Sequence, residues 1–385
     1  MTLKMKWNEL FRRNANFLPT AGERREEIES NPTNPYCLQL QAVEGMHVDK
    51  SKRQTQYQLR FSLYDITFKR FFGRTLIGPK KPCKQSSNHG PRLQYNVPVY
   101  FHTSLADPNI VLVVEIVGNL SDPKTGQRQF SCGWGILRLF QQDDIPDTSQ
   151  STPAPVRRAD VYHGSPRALL YLENDDIEGN ENITFVTDCQ ICFTIKTHRY
   201  LEKVYHLLPE NILALGSDVI PGIAVVDPSS GGDSLRKPKP LKKISAIVDK
   251  MEVTLNPSVE KFEEELCRLI NADRSVREEV ASEKGTIQVT ERRLQVGVHN
   301  GWGYVDKPQI VMLDADSLSR GGARSSRRGR RGSMSGSRES LQGGTSVLHV
   351  KGSINLTEIV KDPLFAIVFV MEYIVTVPTS SSEKK

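Results

Sequence analysis

The sequence predicts a mainly β protein: two antiparallel β-sandwich domains, a few peripheral helices and a disordered Arg/Ser/Gly loop. Three observations predict it. Residues 98–140 read as three closely spaced strands with a glycine-punctuated return, and they carry nothing suited to chemistry. Tyr57, Leu59, Phe61 and Leu63 alternate with polar residues, the period-two signature of a strand with one buried face. Short apolar runs separated by turn signals recur along the chain while helical periodicity is sparse, which is the pattern of a sandwich.

The elements follow in order. Residues 6–17 predict a short amphipathic helix, with Trp7, Leu10 and Phe11 on one face and Pro19 just beyond it. Residues 1–35 are thus a helix and a polar linker. The first sandwich is expected over 36–200, with strands at 36–43, 57–68, 97–103, 109–117, 131–140 and 182–197. Between the second and third of these lies a long basic loop. Pro209, Pro221, Pro228, Pro238 and Pro240 mark 201–245 as a connector, partly packed through Leu207, Leu208, Ile212 and Leu213. The second sandwich is expected over 246–377. It opens with a strand at 251–255 and inserts a helix over 257–284, starting at Asn256-Pro257 with Asn as N-cap. Val259, Phe262, Leu266 and Leu269 form that helix's apolar stripe. Leu294, Val296 and Val298 then face Trp302 and Tyr304 across Asn300-Gly301, a hairpin signal. Strands at 347–356 and 365–377 close the set, and 378–385 is a tail. Residues 315–346, rich in Arg, Gly and Ser, are expected to be disordered.

Composition narrows the function. The chain has 385 residues, 38% hydrophobic and 25% charged, with a formal net charge of +6. Its apolar runs are too short to span a bilayer as helices. The charged N-terminus lacks the apolar core of a signal peptide, so an intracellular protein is expected. The six cysteines are then expected as reduced thiols. Cys189 and Cys192 have C-x-x-C spacing, but on a strand they face opposite sides, and no second pair completes a zinc site. No P-loop, dinucleotide fingerprint or nucleophile elbow occurs. His163-Gly164-Ser165 precedes Pro166 and reads as a turn. Acidic pairs such as Asp143-Asp144 lie in polar loops with too few carboxylates for calcium. No cofactor, catalytic residue or metal ligand is therefore assigned.

Two charge clusters remain. Arg330-Arg331-Gly332-Ser333 places arginines just upstream of a serine, so Ser333 and Ser335 are candidate phosphorylation sites. The same tract could hold anionic membranes or partners, or, ranked last because no aromatic is interleaved, RNA. The second cluster comprises Lys69, Arg70, Arg74, Lys80, Lys81, Lys84 and Arg92. It is either an anionic-lipid or partner patch or a solvated edge that discourages sheet pairing.

Several blocks resemble the nephrocystin-4 family: R-F-S-L-Y-D-I-T-F-K-R-F-F-G-R-T (60–75), V-Y-F-H-T-S-L-A-D-P-N-I (99–110), S-C-G-W-G-I-L-R-L-F (131–140), Y-H-L-L-P-E-N-I-L (205–213) and E-R-R-L-Q-V-G-V-H-N-G-W-G-Y-V (291–305). The likeness runs over nearly the whole chain and is weakest in the Arg/Ser tract. It implies C2-like and immunoglobulin-like domains and a non-enzymatic scaffold of the ciliary transition zone and basal body. The implied partners are nephrocystin-1 and proteins of the type that interacts with the retinitis-pigmentosa GTPase regulator, with roles at cell junctions and in signalling. Family members are several times longer, so an N-terminal portion or short isoform is expected. The Asp362-Pro363 strand resembles the one after Asp107-Pro108 but lacks the strand that follows it, so the second domain is expected to lack a closing strand. A calcium-independent lipid-binding module acting through the 69–92 loop is the rival reading.

Overall fold

The computed structural model describes residues 32–46, 55–86, 90–122, 126–140, 154–171, 180, 183–224, 235, 238–276, 287–315 and 347–376. The expected N-terminal helix, the Arg/Gly/Ser tract with Ser333 and Ser335, and the tail lie outside the described residues. The chain divides into two compact units. One falls within Met1–Leu241 and takes in Asn300–Gly303; the other comprises Lys242–His299 and Tyr304–Lys385.

The first unit is one antiparallel sheet curled on itself. Its strands are β1 (Asn34–Glu44), β2 (Gln56–Asp65), β3 (Arg70–Ile77), β4 (Lys81–Pro82), β5 (Lys84–Ser86), β6 (Gly90–Thr103), β7 (Ile110–Asp122), β8 (Gly126–Arg138), β9 (Arg157–Tyr162), β10 (Phe185–Thr197) and β11 (Ala214–Leu215). The order is β11-β6-β1-β10-β9-β8-β7-β2-β3, with β4 on β2 and β5 on β6. β9 turns the corner: it holds β8 only through Trp134 opposite Tyr162 and Gly135 opposite Val161. The two halves thereby face each other. Leu38, Leu40, Leu93, Val99, Phe101 and Ile191 come from one side, and Leu59, Phe61, Leu112, Val114, Ile116 and Leu137 from the other. Residues alternate across each strand, so the same strands offer a second row to the outside. On β2, β7 and β8 that row is also apolar: Tyr64, Val111, Val113 and Trp134. It is roofed by Tyr162, Ile183 and Leu169, the last from a 3₁₀ turn at Pro166–Tyr171. The Tyr64 hydroxyl donates to Leu169 O (3.0 Å) and the Trp134 indole N–H to His163 O (3.1 Å), so both buried polar tips are satisfied.

Two sequence expectations change here. The stretch read as a long basic loop folds as β3, β4, β5 and the start of β6. Phe72 and Leu76 seal against the core, and Gly73 (φ +68°) makes the bulge between them. A Cβ at Gly73 would lie 2.5 Å from the Asn211 carbonyl oxygen. Residues 201–223, read as part of a connector, belong to the first unit. Leu201, Val204, Leu207, Ile212 and Leu213 are buried and β11 pairs with β6, because these apolar residues recur between the prolines.

The second unit contains β12 (Lys243–Val248), β13 (Glu252–Thr254), α1 (Val259–Val276), β14 (Gln288–His299), β15 (Gln309–Ala315), β16 (Val347–Val350), β17 (Ile354–Val360) and β18 (Ala366–Thr376). Five strands form a sheet in the order β13-β16-β15-β14-β18, while β12 and β17 pair separately. Leu294, Val296, Leu313 and Leu348 of the larger sheet pack with Ile354 and Leu356 of the smaller one and with Val259 of α1. The expected single strand over 347–356 is two. Gly352 (φ +89°) turns the chain between β16 and β17, which join different sheets. α1 is capped by Ser258 rather than Asn256: the Ser258 Oγ accepts the Lys261 amide N–H (3.3 Å). Among the described residues no helix is long and apolar enough to cross a membrane.

Leu112 is fully buried at the centre of the first unit's core. Leu112→Ala is expected to lower the stability of this unit by about 2–5 kcal/mol, read as a lower urea midpoint with an unchanged slope.

Candidate interaction surfaces

The seven cations of the 69–92 region do not form one patch. Lys69 and Arg70 sit at one end of β2, where Asp65 pairs with Arg70; Lys81 sits at the other, opposite Tyr57. Eight residues of strand separate the two levels, roughly 27 Å. Arg74, Lys81 and Arg92 are engaged internally. Arg74 donates to Leu213 O (3.4 Å) and lies 4.8 Å from the Trp302 ring. Lys81 donates to Tyr95 O and sits over the Tyr95 ring. Arg92 pairs with Glu44 (3.2 Å). Arg70, Lys80 and Lys84 are exposed, and Lys69 is half-buried.

Lys84, Arg92, Glu44, Gln190 and Asp160 are successive cross-strand partners on β5, β6, β1, β10 and β9. Directly opposed residues share a face, so they form a row in which acids answer bases. Arg158 joins it through Glu44 (3.1 Å), and Gln190 bonds Asp160 (3.0 Å). Such a row is a solvated face with small net charge and offers little to draw it to an anionic surface.

Groups with reactive potential are placed structurally. Cys189 and Cys192 are buried on opposite faces of β10; burial pushes the Cys189 thiol up to about 12 and raises that of Cys192. His102 is buried and bonds Thr33 Oγ1 and Leu208 O, both at 2.8 Å; its burial lowers its pKa. His163 and Gly164 form a turn whose carbonyls accept from Trp134 and Ser131. Among the described residues, no three His, Cys, Asp or Glu side chains converge as metal ligands.

Residues 300–303 hold a role the sequence reading missed. Asn300 is fully buried in the first unit. Its amide N–H₂ donates to Leu207 O (2.7 Å) and Pro221 O (3.2 Å), and its Oδ1 accepts from the Trp302 and Gly303 amides (2.9 and 3.0 Å). The Trp302 indole donates to Val219 O (3.3 Å). The expected hairpin forms with a four-residue loop: His299 bridges Tyr304, and the Val305 amide donates to Val298 O (2.8 Å). Beyond it β14 pairs with β15, with Leu294 opposite Val311. The Asn-Gly-Trp-Gly spacing signalled a turn but not that the asparagine would spend its hydrogen bonds elsewhere.

Residues 244–385 match the model of the nephrocystin-4 second C2-like domain. Human nephrocystin-4 is 37% identical over 381 residues, covering 97% of this chain. Nephrocystin-4 of Xenopus laevis is 33% identical over 385 residues, covering 98%. The chain is a nephrocystin-4 homologue. It spans about a quarter of the length of these relatives, 26% of each. The C2-like label agrees with the mainly β fold of the second unit.

The second unit of this homologue exposes large apolar side chains. Ile310 and Met312 on β15, Ile367, Phe369 and Val370 on β18, and Phe262 and Leu269 on α1 are all exposed. The sequence reading placed Phe262 and Leu269 on the apolar stripe of the helix and 365–377 in a strand, but it assigned no strand at β15. Ile310, Met312 and Val370 lie on the sheet face away from Leu294 and Val296, whereas Ile367 and Phe369 share the core face at its β18 edge, a division that only the topology reveals.

Burial pushes the His299 imidazole down to about 4 from its ordinary 6.5. Between those values the unfolded chain takes up a proton that the folded chain does not. Stability of the second unit is thus full above pH 6.5 and falls as the pH drops toward 4, by on the order of 3 kcal/mol. Urea midpoints measured from neutral pH downward are expected to show this slope, and His299→Gln is expected to flatten it.

Proposed function

We propose that this chain is a non-enzymatic scaffold that works at the ciliary transition zone and basal body by presenting β-layers to partner proteins. The homology to nephrocystin-4 across nearly the whole chain carries the reading. The exposed apolar sheet face and strand edge of the second unit give it a physical means, since scaffolds recruit by burying such surface or by pairing a strand. Nephrocystin-1 and proteins of the type that interacts with the retinitis-pigmentosa GTPase regulator are the proposed partners, with roles at cell junctions and in signalling. The Arg/Gly/Ser tract adds regulation: phosphate on Ser333 or Ser335 would place negative charge among arginines.

The lipid-binding rival is disfavoured by the separation of Lys69 and Arg70 from Lys81 at opposite ends of β2 and by the pairing of Arg92 with Glu44. The tagged chain, expressed in ciliated cells that lack the endogenous protein, is expected at the cilium base, with proximity labelling enriched for the two proposed partners. A diffuse signal without that enrichment refutes the scaffold reading. In vesicle flotation with anionic lipid, Lys80→Glu/Lys84→Glu is expected to behave as the unaltered chain. A loss of flotation in that variant would restore the lipid role.

A further inference from the structure

β18 is the exposed edge of the second unit's larger sheet. Among the described residues it pairs only with β14, so its other side offers a full row of backbone donors and acceptors. Edge strands that stay single are normally short, interrupted by proline or guarded by lysine. β18 is 11 residues long, Ala-Ile-Val-Phe-Val-Met-Glu-Tyr-Ile-Val-Thr, with no proline, no cation and one acid. The opposite edge, β13, is three residues long. Ile367 is 39% exposed, Phe369 44% and Val370 38%, so apolar side chains are uncovered on both faces of the strand.

We propose that β18 pairs antiparallel with β18 of a second copy of this chain, joining two five-stranded sheets into one across a two-fold axis. The sequence of the strand fits itself. In an isologous contact residue i meets j and j meets i. Only one register pairs the strand along its whole length, the one centred on Met371. It sets Ala366 against Thr376, Ile367 against Val375, Val368 against Ile374, Phe369 against Tyr373 and Val370 against Glu372.

Every pair on the face shared with Leu294 and Val296 is then apolar or aromatic. Phe369 opposite Tyr373 is an aromatic cross-strand pair of the stabilising kind. The apolar strip continues onto α1, where Phe262 lies 5.7 Å from Tyr373. The two Glu372 side chains are not directly opposed. Each lies opposite Arg293 on β14, whose guanidinium is bonded to Glu291. A foreign strand would have to match this apolar order; a second copy does so by symmetry.

This self-association goes beyond the scaffold reading and stands whether or not the chain acts at cilia. Light scattering on the whole chain during size-exclusion chromatography is expected to give twice the 43.3 kDa protomer mass at high concentration. Phe369→Lys is expected to weaken the dimer by ~10-fold or more, about 1.4 kcal/mol, with an unchanged circular dichroism spectrum.

The register has its own test, which does not need a destabilised edge. Met371→Cys places two thiols on the axis within disulfide reach and is expected to cross-link under mild oxidation. Tyr373→Cys places them four residues apart, about 13 Å, and is expected to cross-link no faster than the unaltered chain. A monomer at every concentration, a folded Phe369→Lys variant that dimerises as tightly as before, or equal cross-linking of the two cysteine variants would each overturn the proposal.

Discussion

Burial of β7 on both faces organises the first unit. From Ile110 to Val117 every residue but Glu115 is buried, so the strand demands an apolar layer on each side. One side is the core between the two halves of the curled sheet. The other is the roof of Trp134, Tyr162, Leu169 and Ile183, which exists because the outward row of β2, β7 and β8 is itself apolar. The exception, Glu115, is answered by Arg60 on β2 (3.4 Å), which also bonds Gln129 (2.8 Å). A carboxylate in that row is tolerated because its partner comes from the neighbouring strand and both stay partly in water.

Several buried polar groups of the first unit serve structure. Asn300 serves carbonyls of the 201–223 segment, His102 bridges Thr33 and Leu208, and the Tyr64 and Trp134 tips serve the roof. A buried donor that lacks a partner costs more than a hydrogen bond returns, so such residues are tied to one environment each.

The second unit differs in economy. Its larger sheet has five strands and its smaller one two, so the apolar side chains at the β18 edge cannot all be covered from within. The unfilled layer and the unguarded strand are one feature seen from two sides. A unit built this way gains by association, through backbone pairing and apolar burial together. The first unit, whose sheet is covered on both faces at its centre, has no comparable deficit there.

The sequence alone determined the fold class and the strands with clear patterning, such as β2, β7 and β18, because period-two alternation and continuous apolar runs are local records of burial. Tyr57, Leu59, Phe61 and Leu63 point inward as their spacing required, and the blocks at 60–75 and 291–305 carried the family likeness. Tertiary structure alone decided which strands became neighbours. It split the 347–360 region between two sheets at Gly352, tied the Asn300 side chain to carbonyls of the 201–223 segment, folded that segment into the first unit and spread the seven cations over several strands. A single residue's partners depend on chain brought from far away, and spacing along one segment holds no record of what that distant chain covers or leaves bare.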